Sequence, residues 1–97
     1  MKFGSQFDKD AVKIFKALGD ATRYHIMKML MKKGELSCAD FDREFRLSKP
    51  AMSHHYRILE NAGLIETRKE GLHIYIRART DLLEKFVPNF MEAHLKK

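Results

Sequence analysis

The sequence predicts a mainly α fold with a small β-hairpin wing, a winged helix-turn-helix in the order helix, helix, short strand, helix, helix, strand, strand, helix. Three observations predict it. Amphipathic segments alternate with glycines and capping residues; the stretch 37–62 divides into two short helices around a tight turn; and two β-prone runs flank Glu70-Gly71 ahead of a last apolar helical stretch. At 97 residues the chain is one domain by length and buries roughly two-thirds of the surface it exposes unfolded. Within 1–97 the helix-turn-helix is expected at 37–62 and the wing at 65–77, with self-association left to 3–18 and 80–95.

Over residues 8–18 apolar side chains fall at Ala11, Ile14, Phe15 and Leu18, the i, i+3, i+4, i+7 spacing of one helical face, and Gly19 stops the helix. Asp20 is placed to cap a second helix, 21 to about 33, whose apolar set is Tyr24, Ile26, Met27, Leu30 and Met31 and which Gly34 ends. Ser37 and Asp40 resemble a capping box, and the short helix they open turns Ala39, Phe41 and Phe45 inward. Ser48 is a good N-cap with Pro50 in the first turn, where a missing N–H is harmless, so a fourth helix runs to Asn61 or Ala62 and ends at Gly63. On it Met52, Tyr56 and Leu59 recur at i, i+4, i+7 and face the core, leaving Lys49, Ser53, His54 and Arg57 on other faces.

Runs 65–69 and 72–77 form a hairpin with a basic tip, Ile74 and Ile76 alternating with His73, Tyr75 and Arg77. Thr80 or Asp81 starts a final helix carrying Leu82, Leu83, Phe86, Val87, Phe90, Met91 and Leu95, which Pro88 kinks or divides.

A charged fraction of 33%, a formal charge of +6 and a pI near 9.6 describe a chain whose field attracts polyanions. The single cysteine, Cys38, excludes an intrachain disulfide framework and points to the reducing cytoplasm. The N-terminus carries no run resembling a signal peptide, and charged residues interrupt every apolar segment well short of the ~20 residues that span a bilayer, so no membrane partner is expected.

Four passages taken together resemble the ArsR/SmtB family of repressors: Phe15 to Arg23 (Phe-Lys-Ala-Leu-Gly-Asp-Ala-Thr-Arg), Gly34 to Ser37, Leu47 to His55 and Leu59 to Ile65. The resemblance spans about residues 11–79, and its most specific parts are Ser-x-Pro-Ala-x-Ser-x-His at Ser48 to His55 and Arg-x-Glu-Gly at Arg68 to Gly71. It implies a homodimer pairing through first and last helices, bound to inverted repeats in double-stranded promoter DNA and released by an inducer, here unknown.

The candidate DNA-facing residues are Ser48, Lys49, Ser53, His54 and Arg57 on the fourth helix, with Arg68, Lys69 and His73 on the wing. Hydroxyls and helix N-terminal amides bind phosphate, Arg57 has the fork to grip a guanine or a phosphate, and wing cations suit a backbone or minor-groove contact. The blander alternatives are a solvated polar helix face and a charged edge strand that avoids aggregation. Phe3, Phe7, Leu82, Phe86, Phe90 and Met91 are the candidate dimer interface, because they are more apolar bulk than so small a core needs; otherwise they close the monomer.

No metal or other cofactor is expected. The Cys-x-Cys pair of the family's metal sensors falls on Ser37 and Ala39, with Cys38 between them, and a lone thiolate cannot supply three or four soft ligands. The family's last-helix metal pattern, laid on Asp81 and His94, finds Leu83 and Lys97 at its other positions, so half the ligands are missing. His54 and His55 point about 100° apart and share no ligand. His55 is expected to border the core and His94 to lie at a surface or interface. No catalytic grouping appears at a useful spacing, so no enzyme activity is expected. Two other readings stay open: a winged-helix protein–protein module, and a metal-responsive repressor using ligands such as His25 or His73.

Overall fold

The structure, a computed structural model, describes residues 3–96. Helix α1 (Gln6–Leu18) starts two residues earlier than the apolar pattern indicates, because Ser5 takes the N-cap. Its hydroxyl accepts from the Asp8 amide at 3.1 Å while the Asp8 carboxylate accepts from the Ser5 amide at 3.3 Å. Ile14 and Ala17 are buried with Ala11 and Leu18 beside them. Phe15, expected inward, is 56% exposed: the buried line of α1 runs through the small Ala17, and Phe15 falls outside it.

Asp20 caps α2 (Ala21–Lys33), accepting from the Arg23 amide at 3.1 Å, and Ile26, Met27 and Leu30 vanish into the core. The strand β1 (Glu35–Ser37) leads into α3 (Cys38–Glu44), opened by both arms of the Ser37–Asp40 capping box. Phe41 is buried and Phe45 half-buried, but Ala39 faces solvent, since a helix of seven residues has a single inward line and Phe41 occupies it. Helix α4 (Lys49–Asn61) has Ser48 as N-cap and Pro50 in its first turn.

Strands β2 (Ile65–Glu70) and β3 (His73–Ala78) pair antiparallel, and β1 adds to the other edge of β3, giving the order β1-β3-β2 with Leu36 opposite Ile76. Glu70 pairs with His73, so the turn is Gly71-Leu72, one residue beyond the expected Glu70-Gly71; the φ of 61° at Gly71 suits the tight two-residue connection. Ile76 is buried while Ile74, on the same strand face, is 42% exposed because the hairpin end extends past the helices that cover it. Where α4 turns into β2, Gly63 has φ 82°, a conformation that residues with a side chain rarely adopt, and a Cβ there would lie 2.8 Å from the end of the Leu82 side chain, so a larger residue would be strained and would push Leu82 aside.

Pro88 and the left-handed Asn89 divide the last helical region into α5 (Thr80–Phe86) and a wide helical turn at Met91–Leu95. That turn folds back so that Phe90 meets Tyr24 of α2 edge-on with ring centres 6.2 Å apart. No helix among the described residues is long and apolar enough to cross a membrane.

Candidate nucleic-acid interface

Burial of Met52 and Leu59, and the Tyr56 ring set 5.8 Å from that of Phe41, fix one side of α4 to the protein. Lys49, Ser53 and Arg57 then recur every four residues along its exposed side, with His54 next to them. Ser48 uses its oxygen to accept from the Ala51 amide at 3.2 Å, which leaves the hydroxyl proton at the helix N-terminus free for a phosphate oxygen. Lys49 and Arg57 have no ion-pair partner among the described residues, so their charge is available to an outside anion.

Two braces aim this helix. Arg23 donates from Nε to the Ala17 carbonyl at 2.8 Å and from a guanidinium nitrogen to Nδ1 of His55 at 3.1 Å, joining α4 to the α1–α2 junction. Because arginine only donates, the contact requires Nδ1 to accept, and the fold holds His55 below the usual imidazole pKa, chiefly through desolvation and further through Arg23 and His54, against the opposing pull of Asp20. The second brace runs from Thr67 of β2, whose hydroxyl donates to Glu60 at 3.0 Å and fixes the wing beside the C-terminal half of α4. Arg23 carries no separate signal in the sequence pattern; only the Leu-Gly-Asp-Ala-Thr-Arg passage around it marks the position.

The wing differs from its expected form. Arg68 donates to Glu35 at 2.7 Å and to Glu70, and its guanidinium lies 4.7 Å from the centre of the Tyr75 ring, so the charge is already engaged and its pKa is raised by those two carboxylates. Lys69 is exposed and has no ion-pair partner among the described residues, and His73 is exposed beside Tyr75. The tip is apolar rather than basic, since the one-residue shift of the turn puts Leu72 there, 98% exposed.

A model of the bacterial regulatory proteins of the arsR family matches residues 20–67, the span from the cap of α2 through β2's first residues. The uncharacterized HTH-type transcriptional regulator YceK of Bacillus subtilis (strain 168) is 36% identical over 86 residues, 88% of this chain and 86% of that protein. The chain belongs to the ArsR family. The transcriptional repressor SdpR of the same organism is 38% identical over 71 residues, covering 73% of this ArsR-family chain and 78% of SdpR. Among solved structures, HlyU from Vibrio cholerae N16961 superposes with a TM-score of 0.80 at 25% identity, over 95% of this chain and 99% of that one. This ArsR-family protein is a transcriptional regulator with a winged helix-turn-helix, and its relatives are regulators rather than enzymes.

The regulator's apolar candidates for self-association fall into two settings. Phe3, Phe7 and Met91 are 81%, 54% and 51% exposed and Leu82 is half-buried, whereas Phe86 and Phe90 are 9% and 1% exposed and belong to the monomer core. Phe90 is taken up because the break at Pro88-Asn89 folds the C-terminal turn onto α2. Phe15 joins the exposed set, a residue that helical periodicity had assigned to the core.

Nor is His94 a free surface group in this regulator. Its Nδ1 is 2.7 Å from the Tyr24 hydroxyl and its ring stacks 4.5 Å from that of Phe90. Asp81 sits in the first turn of α5, its pKa lowered first by Arg79, and Lys97 lies outside the described residues. His25 pairs with Glu44 at 3.4 Å and packs edge-on against Phe45. Among the described residues no three His, Cys, Asp or Glu side chains converge as a metal site.

Proposed function

We propose that this regulator is a homodimeric repressor that lays α4 in the major groove of an inverted-repeat operator and blocks polymerase there. One observation carries the reading: Lys49, Ser53 and Arg57 form an unpaired polar stripe along the exposed side of a helix whose other side is buried. A helix of this kind fits the major groove, where Ser48 and Lys49 meet phosphate and Ser53, His54 and Arg57 reach base edges. Lys69 and His73 add backbone contacts from the wing, with Arg68 holding the wing's shape rather than a phosphate. The helix-turn-helix is assigned to 37–62, the wing to 65–77, and pairing to the exposed apolar residues of 3–18 and 80–95, chiefly Phe3, Phe7, Phe15 and Met91. Two-fold pairing sets the recognition helices about 34 Å apart, one turn of DNA.

The test is fluorescence anisotropy with duplexes selected from genomic promoter fragments, set against random duplex. Expected is salt-sensitive binding that prefers the selected sites, with Arg57→Ala losing about 1–3 kcal/mol and relaxing the preference at one base position in each half-site. Equal affinity for both duplex classes, or tight binding to a protein partner alone, would remove the repressor reading.

A further inference from the structure

Leu72 at the tip of the wing is 98% exposed, more than any other large apolar side chain among the described residues. Nothing local calls for it. In the Gly71-Leu72 turn only Gly71 takes a positive φ, an arrangement whose second position suits a polar residue such as Asn, Asp or Ser, and at that exposure Leu72 is covered by nothing in the fold. A break with local turn chemistry that no packing compensates points to function. The register of the hairpin sorts the rest of the wing onto two faces. Thr67 pairs with Ile76 and Lys69 with Ile74, and cross-strand partners share a face. Thr67, Ile74 and Ile76 flank the same cleft as Lys49, Ser53 and Arg57 of α4, so Lys69 belongs to the face turned toward the recognition stripe. Glu66, Arg68 and Glu70, with their partners Arg77, Tyr75 and His73, lie on the other face, where Arg68 engages Glu35 and Glu70 and Arg77 engages Glu66. Thr67 donates to Glu60 at 3.0 Å, and from that anchor β2 runs on to Glu70, about 10 Å at a strand rise of about 3.3 Å per residue, so the tip stands clear of that acid.

We infer that Leu72 reads the minor groove: with α4 in the major groove, the wing crosses the intervening backbone and its tip leucine rests on the floor of the adjoining minor groove, where it selects A·T over G·C. This rests on the repressor reading. The minor groove, about 6 Å wide, admits a side chain rather than a hairpin, which suits a single leucine on a two-residue turn. Lys69 on the inner face meets the strand between the two grooves and His73 on the outer face meets the far strand, leaving Leu72 between them over the bases. The amino group of a guanine projects into the space the leucine takes and loses its water without gaining an acceptor, whereas an A·T pair leaves that space open. The contact is apolar, so it adds affinity without releasing a counterion.

The experiment measures the anisotropy of a selected duplex with wild type, Leu72→Ala and Leu72→Asn over a range of salt, with urea unfolding alongside. Expected is about ten-fold weaker binding for both variants, the effect of roughly half-burying the carbons that alanine lacks, with the salt slope unchanged. Unfolding stability should not fall, since Leu72 is exposed and asparagine is the better turn residue. In wild type, exchanging A·T for G·C about five base pairs from each half-site centre, half a turn of DNA, should weaken binding about five-fold. Inosine·C at the same positions keeps the major-groove face of G·C but lacks the amino group in the minor groove, so it should restore binding, and Leu72→Ala should be indifferent to all three pairs. Full affinity in either variant, a loss of binding matched by a lower salt slope or a lower stability, or inosine behaving as guanine overturns the contact. Altered sedimentation of Leu72→Asn with unaltered DNA affinity assigns the tip to a protein surface and overturns it as well. A wild type that prefers no selected duplex refutes the repressor reading itself, whereas a wild type that keeps its preference while the leucine variants match it refutes the minor-groove contact alone.

Discussion

Replacing Phe15 by glutamate separates self-association from folding. The ring is 56% exposed in the single chain, and with about 200 Å² on a whole phenylalanine this leaves roughly 110 Å² for a partner to cover. At about 25 cal/mol per Å² that is ~2.8 kcal/mol per protomer at full coverage, and a two-fold interface uses the residue twice, for ~5.5 kcal/mol or about 10⁴ in the dimer dissociation constant. The fold itself should lose at most about 2 kcal/mol, the upper bound for the roughly 90 Å² of the residue that the single chain already covers at about 25 cal/mol per Å², because Phe15 lies outside the buried line of α1. Phe90→Ala makes the opposite prediction: at 1% exposure it should lower unfolding stability by about 3–5 kcal/mol. Sedimentation velocity at micromolar concentration and urea unfolding read the two effects separately. A wild-type chain that sediments as a monomer, or a Phe15→Glu chain that dimerises as wild type does, refutes the assignment of this face.

Lys69→Ala should reduce the slope of log affinity against log salt by about one, whereas Arg68→Ala, losing its contacts with Glu35 and Glu70, should shift the melting temperature more than the slope; equal slope losses for the two would contradict the division of labour on the wing. Ser48→Ala removes the cap bond to the Ala51 amide and should lower stability by about 1 kcal/mol in urea titrations while weakening selected and random duplex alike. His55→Gln keeps an acceptor for Arg23 but does not titrate. The fold holds His55 below its unfolded pKa of 6.5, so the unfolded chain binds the extra proton, and wild-type stability should fall relative to the variant as pH drops below about 6.5 toward the depressed value, with no such difference above it. Parallel pH profiles for wild type and variant would show that the Arg23–His55 brace does not select the neutral ring.

Much of the fold was legible because its signals are local. Asp20, Ser37 and Ser48 each satisfy an amide a few residues along their own helix, and Gly34 and Gly63 adopt positive φ at helix ends, so composition and spacing alone mark where α2, α3 and α4 begin and where α2 and α4 stop. The unpaired stripe of Lys49, Ser53 and Arg57 was legible for the same reason, since helical periodicity fixes which side chains share a side once Met52 and Leu59 point inward. Ser5 was missed as a cap because no apolar residue between it and Ala11, apart from Phe7, advertises the first turn.

What only the tertiary structure decided concerns pairs distant in sequence. Phe15 and Phe90 are alike in composition and local pattern, yet one is left in solvent and the other is covered by Tyr24 after the chain breaks at Pro88-Asn89. Arg68 looked like a free cation until β1 brought Glu35 to it across the sheet, and the bond from Arg23 to His55 spans 32 positions of sequence. Caps, turns and amphipathic stripes depend on neighbours within a turn or two, which the order of residues specifies directly. The engagement of a charge and the cover over a ring depend on which elements meet, and that is set by packing of the whole core.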